Sequence, residues 1–323
     1  MGSRIHMTII STPFHSRVSV TLGVSAFMFV FLLLAGCATA PVQQVRLFNT
    51  AFADFNGASQ PLFDDLAIAE RRQGKEVAEA KARRNSYQGD CAGIGWMTVG
   101  FIDGFCVDDA YYFSEIGDPP ATRRFREGIG VIGQYAEVLL VLAEGRNLDE
   151  TSAQVQSLGA NIAALVSMAS GPGAGAAFTG ALAALDPIIR DAAQQKNVEE
   201  VKRLVLAGSP HVKKLIGSLR DGAPEVFNTL IFQSVKGTTD PESLTNKVVA
   251  KSHLDRIAAY RAAVSNYVVL LAELDHTFDE LVVAVQRPRN TVSLALVTDR
   301  SNRLAAHADA WRRVYSALRA GGA

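Results

Sequence analysis

Cysteine is nearly missing from this chain, with three in 323 residues. Neither Cys91 nor Cys106 has a histidine or second cysteine at ligand spacing, which argues against a cysteine-built metal site. Charge imbalance is missing as well. Lysine plus arginine and aspartate plus glutamate both number 32, so nothing electrostatic argues for nucleic acid or an anionic bilayer as partner. Proline is sparse, at 11 residues, and long windows carry neither proline nor glycine. With alanine, leucine and valine dominant, that is an α-helical composition. No repeat of about 30–50 residues is evident, so a solenoid is not the first choice.

Catalytic signatures are missing too. The chain holds no Gly-x-Ser-x-Gly elbow, no His-Glu-x-x-His zinc motif and no phosphate-binding glycine loop. Glycines near 171–175 are not followed by the Lys-Ser or Lys-Thr pair a P-loop needs. The best metal-like constellation is Glu273-x-x-His276 with Asp279 and Glu280. A di-iron bundle needs two such pairs and further glutamates from other helices, and no second Glu-x-x-His exists. Leu274 and Phe278 hold the apolar seam beside it, so this row reads as a solvated acidic face. His211, His253 and His307 are scattered, and His253 extends the seam register by one step, as a bundle-end residue would. The expectation is a protein that is not an enzyme, with no cofactor and no metal.

What the chain does hold is a distinctive beginning. Arg4 and Arg17 precede an apolar stretch over residues 18–34, with no acidic residue among them, and the stretch ends in Leu34-Ala35-Gly36-Cys37. This run resembles the lipobox of bacterial lipoprotein precursors. The resemblance implies that Cys37 is the lipidation site, palmitate included, and that residues 1–36 are a signal peptide removed in the mature protein. Met7 to Cys37 is already a complete signal, so translation can start at either Met1 or Met7. An uncleaved anchor is the alternative, although 17 apolar residues lie at the low end for a spanning helix. Both readings put the remainder outside the cytoplasm. Ala38 rather than aspartate follows Cys37; in enteric bacteria that implies the outer membrane, with the body on its periplasmic face. In such an oxidising compartment, Cys91 and Cys106, 15 positions apart, are expected to form a disulfide. Closing that loop stabilises a fold by roughly 3 kcal/mol in the chain-entropy treatment.

Beyond a short tether, residues 37–44, the pattern predicts one helical bundle domain over 45–323. Val45, Phe48, Phe52 and Phe55 share an edge, Gly57 and Pro61 are expected to break or kink the segment, and the charged residues 70–84 read as a solvated face. Residues 86–121 differ: glycines punctuate an aromatic-rich stretch with Trp96, Phe101, Phe105, Tyr111, Tyr112 and Phe113, ended by Pro119-Pro120. We read a disulfide-pinned loop inserted between helices, with a short hairpin in Trp-Met-Thr-Val and Phe-Ile. It serves either as a plug on the bundle or as an exposed aromatic contact surface.

Helices are then predicted over about 122–144, 148–170 and 175–194, with a Ser-Gly-Pro-Gly turn at 170–173. Pro187 is expected to kink the last, and Pro210 and Pro224 to restart helices within 195–236. Residues 241–319 read as a long C-terminal helical hairpin. Its first arm, 241–286, would be about 69 Å long. Ile257, Tyr260, Val264, Tyr267, Leu271, Leu274, Phe278, Leu281 and Val285 form a heptad seam along it. Leu296, Leu304, Trp311, Val314 and Leu318 are expected to face inward from the second arm. The fold class is therefore all-α: an elongated antiparallel bundle of about seven helices with an irregular, disulfide-pinned loop insertion.

Residues 151–185 carry no charged side chain at all. Their two small-residue arms are expected to be the fully surrounded centre of the bundle; the alternative is a membrane-inserting hairpin. The function expected is a non-catalytic scaffold or partner-binding protein of the cell envelope. It would be held by its N-terminal lipid and would bind another envelope protein rather than nucleic acid. The alternative is a membrane-perturbing, pore-forming-like protein using 151–185.

Overall fold

The computed structural model describes residues 40–83, 91–92, 95–97, 100–102, 105–107, 109–168, 176–287 and 290–321. The lipobox with Cys37, the apolar run before it, the 170–173 turn and Pro288 lie outside the described residues. Helices dominate. The first, α1 (Ala40–Arg83), starts inside the expected tether and runs through Pro61 without a break. Pro61 removes one intrahelical hydrogen bond and costs about 3 kcal/mol in a helix interior. Against it stand Phe48, Phe55, Leu62, Phe63 and Leu66, all buried, on both sides of the proline. Burying a large apolar side chain stabilises by about 1.5–3 kcal/mol, so five outweigh the proline.

Two short antiparallel ladders follow: β1 (Cys91–Ala92) with β4 (Phe105–Cys106), and β2 (Gly95–Met97) with β3 (Gly100–Ile102). The expected hairpin is present, pairing Trp96 with Phe101. One-turn α2 (Ala110–Phe113) leads to α3 (Pro120–Ala143), then Gly145, at φ +64°, turns the chain into α4 (Leu148–Met168). The chain continues through α5 (Ala176–Gln194), α6 (Val198–Asp221), α7 (Ala223–Thr238), α8 (Pro241–Thr245), α9 (Lys247–Gln286) and α10 (Thr291–Gly321).

Four asparagines begin helices, each accepting a hydrogen bond from a first-turn amide. Asn147 accepts from Glu150, Asn197 from Glu199, Asn246 from Val248 and Asn290 from Val292. Asn246 explains why 241–286 is not one rod. In extended conformation, its side chain caps the amides of α9, so the long arm shortens to 40 residues, about 60 Å. Pro224 does sit in a first turn, as expected, but Pro210 lies inside α6 and restarts nothing. Proline at 210 leaves the Leu206 carbonyl without its usual amide partner, and the Ser209 hydroxyl donates to that oxygen at 2.8 Å.

An aromatic ladder ties the long helices together. Phe278 of α9 meets Phe48 of α1 and Tyr135 of α3; Phe63 of α1 meets Phe125 of α3 and Tyr267 of α9; Tyr267 meets Trp311 of α10. The Tyr135 hydroxyl donates to the Val205 carbonyl of α6, and burial pushes it well above the usual tyrosine range, so it stays a donor. Around this centre α3 packs on α4 and α6, α5 bridges α4 and α6, and α9 touches α6, α7 and α10. The heptad seam of α9 is buried from Val264 to Val285, with Ile257 and Tyr260 half-buried. On α10 the inward row is Leu294, Val297, Ser301, Leu304, Ala308, Trp311 and Tyr315. Leu296 and Val314 are exposed, which corrects the expected face.

Residues Pro41–Ala323 form one compact unit. The expected burial of the uncharged hairpin is corrected. Val155, Leu158, Ile162 and Leu165 on α4, and Phe178, Leu182, Leu185 and Ile189 on α5, are buried. The opposite faces, including Ala153, Ala160, Ala164, Ala177, Gly180 and Ala183, are exposed, because α4 and α5 lie at the side of the helix set.

Phe278→Ala should lower stability by about 3–5 kcal/mol, since the ring serves two helices at once. Urea unfolding would measure it. A loss below about 1 kcal/mol would mean that the ladder is not the centre of the fold.

Candidate functional site

The charged second half of α1, expected to be a solvated face, instead builds the segment that follows the ladders. Arg71 donates to the Ser114 carbonyl at 3.0 Å and, through a second nitrogen, to the Gly117 carbonyl. Glu70 is buried, and its carboxylate accepts from the Ala121 and Thr122 amides and the Thr122 hydroxyl at 2.8–2.9 Å. It therefore caps α3, whose own N-cap position, Pro119, offers no side-chain hydrogen bond. Tyr112 fills the space beside Gly74, where an added Cβ would stand 2.2 Å from the ring. The Ile116 amide donates to the Ser114 hydroxyl at 3.0 Å, and Gly117 turns the chain at φ +72°.

These bonds hold a shelf of apolar side chains in water. Ile116 is 88% exposed and Phe113 50%, with Tyr111 and Val107 alongside. Lone exposed apolar residues are ordinary, but these are four within ten positions, on a backbone pinned from α1. Two cations border it: the Lys75 ammonium lies 5.6 Å from the centre of the Phe113 ring, and the Arg123 guanidinium 5.0 Å from that of Tyr111. The aromatic stretch was legible as a distinct segment, read as either a plug on the bundle or an exposed contact surface. Its supports on α1, Glu70 and Arg71, were not, because charged residues four or fewer apart look alike whether they face water or a neighbouring loop.

The other sequence candidates do not converge. Along α9, Glu273, Asp275 and Asp279 are partly buried and cross-linked rather than freely solvated. Lys213 of α6 pairs with Asp279 and stands 3.9 Å from Asp275, while Arg303 of α10 stands 3.8 Å from Glu273. The hydrogen bond to Asp279, with Asp275 adding, holds the Lys213 ammonium above the usual lysine range. His276 is exposed on this row. Among the described residues no group of three or more His, Cys, Asp or Glu is placed to hold a metal. The His253 ring fills the space beside Gly237 of α7, a fit that ties the start of α9 to the end of α7. On α4, Asn161 donates to Gln134 of α3 at 2.8 Å and Ser152 to the Ala193 carbonyl at 3.3 Å.

Glu70→Ala should leave the Ala121 and Thr122 amides without their acceptor. Hydrogen bonds to charged groups contribute about 1.5–3 kcal/mol, so both amides should exchange at least about tenfold faster. Exchange in α9 around Tyr267 should not change. Unchanged protection at Thr122 would show that the carboxylate is not the cap. No family model, curated protein or solved structure matches the chain.

Proposed function

We propose that the mature protein is a lipid-anchored, non-catalytic scaffold of the bacterial cell envelope. Its anchor is Cys37, in the outer membrane on the periplasmic face, and it presents the Tyr111–Phe113–Ile116 shelf to another envelope protein. The shelf carries this reading, because a segment with no partner has little reason to hold large apolar side chains in water on a pinned backbone. Position supports it further. Two residues, Ala38 and Thr39, separate Cys37 from Ala40, where α1 begins, so the chain keeps a lipid within about 10 Å of that end. Gly74 and Lys75, which carry the shelf, lie about 50 Å further along α1. The contact surface is thus held far from the anchored end, as suits a partner across a gap and not lipid beside the tether.

The body belonging to this reading is the elongated antiparallel bundle with its insertion pinned by a Cys91–Cys106 disulfide. Support for the bond comes from the β1–β4 register, which sets the two cysteines directly opposite each other. Cross-strand Cα atoms so paired are about 4.5–5.5 Å apart, inside the span a disulfide bridges. The alternative, insertion of 151–185 into a bilayer, has one observation in its favour: the exposed faces of α4 and α5 carry no charge between Glu150 and Asp186. Against it, seven large apolar side chains of 151–185 are buried in the body. Withdrawing them forfeits burial of order 10–20 kcal/mol, as much as a domain's whole margin of stability. No helix among the described residues is long and apolar enough to cross a membrane.

Three measurements check the proposal. Cys37→Ala should accumulate as unprocessed precursor in a bacterial host, and normal processing of that variant would remove the lipoprotein reading. Non-reduced peptide mass spectrometry should find Cys91 joined to Cys106; two alkylatable thiols would refute the bond. A photo-cross-linker at position 116, in the native host, should give one discrete adduct that Tyr111→Ser with Phe113→Ser abolishes. Random capture of abundant envelope proteins would count against a specific partner.

A further inference from the structure

Helices α1 and α10 start side by side. Arg312 of α10 donates to the Asp54 carbonyl of α1 at 3.2 Å, and Arg319 pairs with Asp65 at 2.9 Å, so the two run as parallel neighbours. Their starts are also level. Phe278 of α9 meets Phe48 of α1, and eight residues away from each, in opposite chain directions, α9 ends at Gln286 and α1 begins at Ala40. Helix α10 begins at Thr291, four residues beyond the end of α9. This paired tip is free of charge: residues 41–45 of α1 and 291–298 of α10 hold no charged side chain. The open face of α10 changes character along its length, with Thr291, Val292, Ala295 and Leu296 exposed first, then Asp299 and Arg303. Val292 is 66% exposed. Charge is dense nearby, where Arg46 of α1 pairs with Glu144 and the chain runs on through Arg146, Asp149 and Glu150. The first amides of α10 are provided for without water. Those of Val292 and Ser293 donate to the Asn290 side chain, and that of Leu294 to the Asn290 carbonyl.

We propose that this tip, residues 41–45 with 291–298, is a seat for a phospholipid bilayer, which its apolar side chains enter to headgroup depth. The proposal rests on the lipid anchor at Cys37, and the length of chain before α1 chooses the occupant. With only Ala38 and Thr39 between Cys37 and Ala40, an acylated cysteine holds the membrane surface within about 10 Å of the start of α1. A gap that narrow leaves no room for a folded domain between tip and membrane. Residues 291–298 span about 12 Å, comparable with the roughly 5–10 Å to which interfacial helices sink. Arg287, exposed at the edge of the tip, then stands where lipid phosphates are. Contact over both helix starts would hold α1 and α10 upright on the surface, instead of leaving them to swing on a two-residue tether.

The test uses protein expressed from the whole sequence in a bacterial host and reconstituted in vesicles of phosphatidylcholine and phosphatidylethanolamine. A photo-cross-linking amino acid replaces Val292, Leu296 or Val314 in turn. Val314, 53% exposed on the same helix about 33 Å further along, is the control. Phospholipid adducts, read by mass spectrometry, should form at 292 and 296 at least about fivefold more than at 314, which stands beyond the depth an interfacial contact reaches. Equal yields at all three positions, or no adduct at 292 and 296, would overturn the seat. Intact mass separates that result from failure of the anchor. Protein without acyl chains would remove the Cys37 reading and the seat with it, whereas acylated protein without adducts would remove the seat alone. All three positions are exposed, so circular dichroism and melting should match the unsubstituted protein.

Discussion

The burial of one row along α1 is the constraint on which the rest of the structure depends. Phe48, Phe55 and Phe63 have essentially no exposed surface, and between them they contact α3 and α9. Because α1 is continuous through Pro61, its second half is fixed in direction by its first. Everything arranged on residues 65–76 inherits that direction: the Asp65 pairing with α10, the Glu70 cap on α3, the Arg71 bonds to the shelf and the Glu76 pairing with α7. A flexible joint at Pro61 would let all four drift relative to the aromatic ladder. The apolar contacts on both sides of the proline prevent that.

Polar groups then do what apolar burial cannot, which is to choose where each helix starts and stops. Asparagine side chains cap α4, α6, α9 and α10, and a carboxylate borrowed from α1 caps α3. Each cap contributes on the order of 1 kcal/mol. That is small beside the core, but it removes the ambiguity of where a long apolar register begins. The 241–286 segment shows the effect: its seam pattern alone permits one rod, and Asn246 divides it.

How much of this was legible in the sequence follows from what each signal measures. Periodicity reports which residues share a face, so the α9 seam from Val264 to Val285 read correctly. It failed where the face is narrow or small. On α10 the buried row includes Ser293, Ser301 and Ala308, so following only large residues led to Leu296 and Val314, which are exposed. On α4 and α5 the absence of charge suggested burial on all sides. Alanine and glycine, however, tolerate solvent as readily as a core, and only one face of each arm is covered. Proline misled at 210, and at 61 it makes no break, because its cost is fixed whereas the burial gained on either side grows with helix length.

The candidate sites were legible in part for a different reason. An aromatic, glycine-rich stretch announces itself within some thirty residues, and the shelf lies in it. Apolar groups there need polar pins to stay ordered, which Arg71, Lys75 and Arg123 supply through carbonyls and ring faces. Those pins stand on α1 and α3, so the place of the shelf is set by the same helices that the buried row of α1 brings together.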